Sequence, residues 1–217
     1  MPKTIKITDF LKSVIIFTLI METLGAICLY IAFSNNGMET LQAIWYGIFH
    51  SVSAFCTAGF GVFNDSFIAY QDNVFLNTVV SVLAIAGSLG FIVITVLWYR
   101  ISGKSKSLSF TSKIIIYGFI ILLTLGTTVT YFTETLLRDS ESRLMQSFFQ
   151  SMSAMTTVGF NTINTGAVSL PIILLVTFLM YIGASPSGTA GGMKITTLTA
   201  MISVLKSRVI GEKKSLS

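Results

Sequence analysis

The sequence predicts an all-α membrane protein of two consecutive repeats. Each is a long helix, a short re-entrant helix, a loop and a second long helix, and a Gly-rich loop inside the membrane breaks the last helix. Three observations point there. Of 217 residues, 53% are hydrophobic and only 11% are charged, against about 25% charged in soluble domains. Four apolar stretches, residues 14–33, 75–99, 114–132 and 168–205, are separated by connections that hold two shorter semi-apolar segments. Sliding the chain by 100 residues lays Phe49 to Phe60 over Phe149 to Phe160 with seven of twelve positions identical, where ordinary composition gives about one. The repeats are placed at residues 1–100 and 101–217.

Taken in order, the first stretch follows Lys3, Lys6 and Lys12 and so imitates a secretory signal. Its apolar run is too long for one and no small-residue cleavage site follows, so it reads as a retained helix. The short segments, residues 41–55 and 144–155, rise only ~20 Å as helices, too little to cross a ~30 Å hydrocarbon core. The second and third stretches are long enough to span. From Val168 to Ile182 the fourth rises ~22 Å. It then meets Gly183-Ala-Ser-Pro-Ser-Gly-Thr-Ala-Gly-Gly192 before Met193 resumes apolar character. Pro186 and the glycines oppose continuous helix there.

Lys and Arg number three in residues 1–13, four in 100–113 and four in 206–214, while Arg138 and Arg143 alone occupy the other two connections. The positive-inside rule puts both termini and the 100–113 loop in the cytoplasm, and both short segments enter from the opposite face. A multi-pass protein of the cell membrane follows, with the lipid bilayer as its surroundings. The net charge of +5 lies at the termini and one loop and offers no basic face to nucleic acid. Cys28 and Cys56 lack disulfide-framework density and metal-ligand spacing and read as free thiols. No constellation of acids, bases or nucleophiles suggests an enzyme, and the stretch around Lys194 lacks the Gly-Lys-[Ser/Thr] ending of a nucleotide loop. Tyr30, Trp45, Trp98, Tyr99 and Tyr131 fit an interfacial aromatic belt. Glu39, Asp65, Asp72, Asp139 and Glu141 either draw cations to an entrance or solvate the outer connections.

Non-helical backbone at membrane depth survives only inside protein or beside a wet cavity. The repeated loops, Cys56-Thr-Ala-Gly-Phe-Gly61 and Thr156-Thr-Val-Gly-Phe-Asn161, therefore suggest an ion path. Extended Thr-x-Gly-aromatic backbone can aim successive carbonyl oxygens at one axis and replace a cation's water shell. The candidate filter residues are Thr57, Ala58, Gly59, Phe60 and Gly61, and Thr157, Val158, Gly159, Phe160 and Asn161. In this reading the glycines and Asn161 tolerate positive φ, the threonines add an inner hydroxyl, and Phe60 and Phe160 pack outward as spacers. Uncharged oxygen ligands favour a monovalent ion such as K+ over Ca2+ or Mg2+.

Thr156 to Asn161 is similar to the potassium-channel filter sequence, with Phe for its Tyr and Asn for its last Gly. Together with Ser185-Pro-Ser-Gly-Thr-Ala-Gly-Gly-Met-Lys194, the paired loops resemble the Trk/Ktr/HKT potassium-transporter family, closest to its bacterial TrkH and KtrB subunits. The resemblance implies that K+ is taken up through a four-repeat pore, of which this chain matches the second and third helix-pore-helix units. It also implies that the broken helix is an intramembrane gate, formed by Gly183, Ser185, Pro186, Ser187, Gly188, Thr189, Ala190, Gly191, Gly192 and Lys194, and that a cytosolic nucleotide-binding regulatory ring docks on the inner surface. No cofactor is expected besides the transported K+, with Na+ coupling or regulation open.

A filter needs four loops around one axis and this chain supplies two. The preferred reading is a two-repeat part of a pore completed by complementary repeats, and a homodimer is the alternative. A non-conducting scaffold or regulatory subunit is the competing function. Lys194 either repels cations, holds the closed loop or snorkels to the surface. His50, matched by Gln150, reads as a buried polar anchor, Glu22 as a hydrogen-bonding partner of a neighbouring helix, and Gly87 and Gly90 as close-packing positions.

Overall fold

The computed structural model describes residues 7–101, 109–138 and 140–210. Lys3, Lys6, Lys104, Lys106, Lys213, Lys214 and Asp139 lie outside the described residues, as do the side chains of Trp98, Tyr99 and Arg100. The elements are α1 (Ile7–Asn35), α2 (Thr40–Phe55), α3 (Val74–Ile101), α4 (Phe110–Thr133), α5 (Arg143–Thr156), α6 (Leu170–Tyr181), β1 (Ile182–Gly183), β2 (Met193–Lys194) and α7 (Ile195–Ile210). Three spans, Leu11–Asn35, Val74–Val96 and Phe110–Thr133, are long and apolar enough to cross a membrane. The 12 residues of α6 rise only ~18 Å, too little to cross a ~30 Å hydrocarbon core.

Local chemistry sets the boundaries. Ser109 caps α4, its side chain accepting from Ser112 N at 3.1 Å, which satisfies one donor that a helix start leaves free. Pro171 sits in the first turn of α6, where its missing N–H costs nothing. Upstream of it, Ser169 donates both its N–H (3.0 Å) and its hydroxyl (2.9 Å) to Glu134 Oε2 just past the end of α4. Leu11, Ile15, Ile16, Leu19, Ile20, Leu24 and Ile27 stand exposed along α1, the apolar surface expected of a helix in lipid.

Helix α1 packs on α2 and α3, and α4 packs on α5, α6 and α7; α5 against α3 joins the halves. One core gathers Leu29, Phe33, Phe55, Leu76, Val80 and Leu83 and also takes in Phe149, Met152, Val158 and Phe160 from the later half. A second core, around Phe119, Met155, Leu179, Ile182 and Ile195, sits beneath the broken helix.

Two features differ from simple helical expectation. The broken segment closes on itself, because β1 and β2 pair in parallel with Ile182 opposite Met193 and Gly183 opposite Lys194. This gives the exposed ends of α6 and α7 backbone partners that helix termini otherwise lack. Helix α3 kinks at Gly90, whose φ is 75°. A Cβ there would lie 2.2 Å from Ser187 O, so the kink lets backbone of the 183–192 loop press against α3. The packing expected of Gly87 and Gly90 therefore serves a loop as well as helices.

Candidate functional site

Each short helix delivers its loop near mid-height of the long helices. Ser51 Oγ donates to Glu22 O at 2.7 Å, Cys56 Sγ lies 3.8 Å from Glu22 Oε1, and a Cβ on Gly87 would meet Phe55 O at 1.9 Å. Glu22 and Gly87 fall in the middle of α1 and α3. Glu22 thus meets the end of α2, the neighbouring-helix contact its isolation in an apolar run suggests.

The two loops are held alike. Ser53 Oγ donates to Phe60 O at 2.7 Å, and Ser153 Oγ to Phe160 O at 2.6 Å. His50 Nε2 accepts from Val62 N at 3.5 Å, and at the matching place Gln150 Nε2 donates to Thr162 Oγ1 at 3.4 Å. His50 is fully buried, donates from Nδ1 to Tyr46 O at 2.8 Å, and stacks on Phe63 at 5.0 Å. An anchoring role fits these contacts.

Backbone angles repeat as well. Gly59 and Gly159 have φ of 70° and 83°, the region glycine enters without penalty. The threonines before them, Thr57 at 49° and Thr157 at 55°, also take positive φ, whereas Asn161 does not. The expectation for Asn161 is therefore corrected: the bend falls at the end of the short helix, where Thr157 caps α5 in the left-handed conformation, and two glycines absorb the rest.

The loops touch. A Cβ on Gly59 would lie 1.8 Å from Val158 O, so the second loop's carbonyl rests against the first loop's glycine. Around Gly159 nothing comes within 4 Å of that position. Among the described residues no donor is paired with the carbonyls of Ala58, Gly59, Val158 or Gly159. The phenylalanines also differ, against the expectation that both are outward spacers. Phe160 is 1% exposed and packs on Phe67 at 4.9 Å and His50 at 6.2 Å, while Phe60 is 71% exposed. Phe160 is buried because the aromatic cluster of His50, Phe63 and Phe67 receives it; Phe60 has no such neighbour among the described residues.

Directly beside the loops lies the 183–192 segment. Gly191 N donates to Thr157 Oγ1 at 2.8 Å, Thr189 N to Gly87 O at 3.0 Å, and Thr189 Oγ1 to Phe55 O at 3.3 Å. Ser185 N donates to Ser88 O at 3.3 Å and Ser185 Oγ meets Ser187 Oγ at 3.1 Å. Lys194 Nζ turns back to Ala190 O, tying the loop instead of reaching away from it. Pro186 and Gly192 are exposed, and Gly183 and Ala190 are buried. Gly188 fits so closely that a Cβ would meet Ser88 O at 1.8 Å. Thr57 Oγ1 is buried with no hydrogen-bond partner among the described residues. The Gly191–Thr157 bond was not legible from motif spacing, since it joins residues of two different elements across a fold.

A cavity of about 550 Å3 before the start of α5 is lined by Asp72 and Glu141 among others. Asp72 accepts from Ser142 Oγ and, at 3.2 Å, from Gln146 Nε2, so it also clamps the two halves.

The sequence profile described as "TrkH: Cation transport protein" matches residues 3–216. The chain is 40% identical over 195 residues to the potassium/sodium uptake protein NtpJ of Enterococcus hirae, covering 86% of this chain and 42% of that protein. It is 31% identical over 202 residues to the Ktr system potassium uptake protein B of Vibrio alginolyticus, covering 90% and 44% respectively. Its fold is like that in the crystal structure of the potassium transporter TrkH from Vibrio parahaemolyticus, with a TM-score of 0.75 at 22% identity, across 99% of this chain and 44% of the other. The chain thus spans less than half the length of these relatives. Matched along nearly all of its own length, it belongs to the TrkH cation transport protein family, a membrane family of transporters and not of enzymes.

Proposed function

We propose that the chain contributes two filter loops to a K+ uptake pathway of the Trk/Ktr type in the cell membrane. The observation that carries this reading is the edge-to-edge meeting of two identically bent Thr-x-Gly-Phe loops, Val158 O against Gly59, with unpaired carbonyls at Ala58, Gly59, Val158 and Gly159. Bare carbonyls away from lipid need a partner, and a dehydrated alkali cation is one. The Phe60 and Phe160 carbonyls are taken by serine hydroxyls, which fix the bend and leave the inner oxygens for the ion. The names of the relatives support K+ as that ion.

In this reading residues 1–100 and 101–217 are two pore repeats, both termini face the cytoplasm, and complementary repeats or a second copy supply the remaining loops. The 183–192 segment is a closed gate: Gly191 N–H occupies the Thr157 hydroxyl oxygen that an inner ion would use. A cytosolic nucleotide-binding ring and Na+ coupling or regulation belong to the same proposal through family membership.

The test is Rb+ uptake in cells lacking their own potassium transport. Thr157→Val and Gly159→Ala are expected to lower uptake about tenfold or more, the effect of losing about 1.4 kcal/mol. Uptake unchanged by both substitutions would favour a non-conducting scaffold.

A further inference from the structure

Helix α3 is interrupted at a single residue. Gly90 has φ 75° and ψ 164° inside the helix, a combination open essentially to glycine alone. Each α-helical bond runs from an N–H to the carbonyl four residues before it. A break at residue 90 therefore takes the N–H groups of Phe91 and Ile92 out of register with the carbonyls of Gly87 and Ser88. The 183–192 segment supplies donors at those two places: Thr189 N to Gly87 O at 3.0 Å and Ser185 N to Ser88 O at 3.3 Å. The acceptors that the break uncovers are the ones the loop takes.

The contact is main chain on main chain and leaves no room for side chains. A Cβ on Gly90 would lie 2.2 Å from Ser187 O and 2.6 Å from Gly188 N, and one on Gly188 would lie 1.8 Å from Ser88 O. Ser88 and Ser185 are both buried. The 100-residue offset that pairs the filter loops also lays Gly87-Ser-Leu-Gly90 over Ser187-Gly-Thr-Ala190. Each repeat therefore breaks its second helix at the same register, at one residue in the first and over a loop in the second, and the two breaks face each other.

We infer that Gly90 is a positioning residue for the 183–192 segment: the segment seats only while α3 is broken, and α3 becomes continuous when the segment leaves. One pair of carbonyls serves both arrangements. Gly87 and Ser88 lie within the apolar span Val74–Val96, where a backbone carbonyl needs a protein partner. With the loop gone, those carbonyls are satisfied by the return of Phe91 N and Ile92 N. With α3 continuous, they point along the helix axis, and the loop amides lose their acceptors. Two backbone bonds stand on either side of this exchange, so a modest bias on one element shifts the balance of both. The coupling is reciprocal: straightening α3 unseats the loop, and unseating the loop straightens α3. Only the consequence for flux rests on the closed-gate reading above.

The test reads α3 itself, by double electron–electron resonance on the intact transporter in lipid bilayers, with spin labels at positions 78 and 95 and the native cysteines replaced. An unbroken helix rises ~26 Å between those positions. Gly188→Ala crowds the loop against Ser88 and leaves the sequence of α3 untouched; it is expected to move the distance from its wild-type value to that of the unbroken helix. Gly90→Ala, which closes the glycine-only conformation, is expected to do the same. Both are expected to raise Rb+ uptake per transporter in the membrane about tenfold, as a tenfold shift of the equilibrium would. A distance that Gly188→Ala leaves at its wild-type value overturns the coupling, including where Gly90→Ala does not reach the membrane. Straightening of α3 with uptake unchanged upholds the coupling and refutes the gate reading. An unmoved α3 with uptake still sensitive to Thr157→Val refutes the coupling alone.

Discussion

Gly59 and Gly159 show how one residue type can matter for different reasons at equivalent positions. Both need positive φ, which costs a residue with a Cβ roughly 1–2 kcal/mol, but Gly59 also lies against Val158 O and Gly159 against open space. Gly59→Ala is therefore expected to disrupt the folded chain, and Gly159→Ala to lower its stability by about 1 kcal/mol, as read by thermal unfolding in detergent. Equal effects would mean that the loops do not touch as described. The motif and its period were legible in the residues themselves, since a 100-residue offset exposes them. The placement of positive φ on Thr57 and Thr157 and not on Asn161 was not, because it depends on how the short helix ends, and Phe160 and Phe60 diverge only once one of them has a neighbour.

Among the elements, the four apolar stretches and the break after Ile182 could be read directly, since hydrophobic length is a local property. The kink of α3 at Gly90 and the β1–β2 pairing could not, because each is decided by a contact between distant segments. The junction of α4 and α6 gives a pH prediction. Burial raises the Glu134 carboxyl, but hydrogen bonds from Leu136 N, Ser169 N, Ser169 Oγ and Thr135 N outweigh it and hold the group below its ordinary value of 4.5. The native state then binds fewer protons than the unfolded one. The contribution is present above the ordinary carboxylate range and is lost as pH falls through the lower native value. Glu134→Gln is expected to cost about 2 kcal/mol at neutral pH and to flatten the acid limb of a stability profile. A variant that keeps the acid limb would assign that limb to other groups.

At the scale of the whole molecule, the two repeated loops meet inside the chain at Gly59 and Val158, and the 183–192 segment is bonded to Thr157 of the second loop. Helices α2 and α5 end beside the middle of α1 and α3, and the loops that follow them meet at Gly59 and Val158. The seating of the 183–192 segment against Thr157, Gly87 and Ser88 was the least legible feature, since it depends on surfaces that complement each other across the chain. Everything functional depends on whether the unpaired carbonyls of Ala58, Gly59, Val158 and Gly159 bind K+. Solid-state NMR of the chain in lipid bilayers, with 13C at the carbonyls of Val158 and Gly159, tests this directly. Replacing Na+ by K+ is predicted to shift those two resonances and to leave that of Ala84 in α3 in place; resonances identical in the two salts would contradict the account.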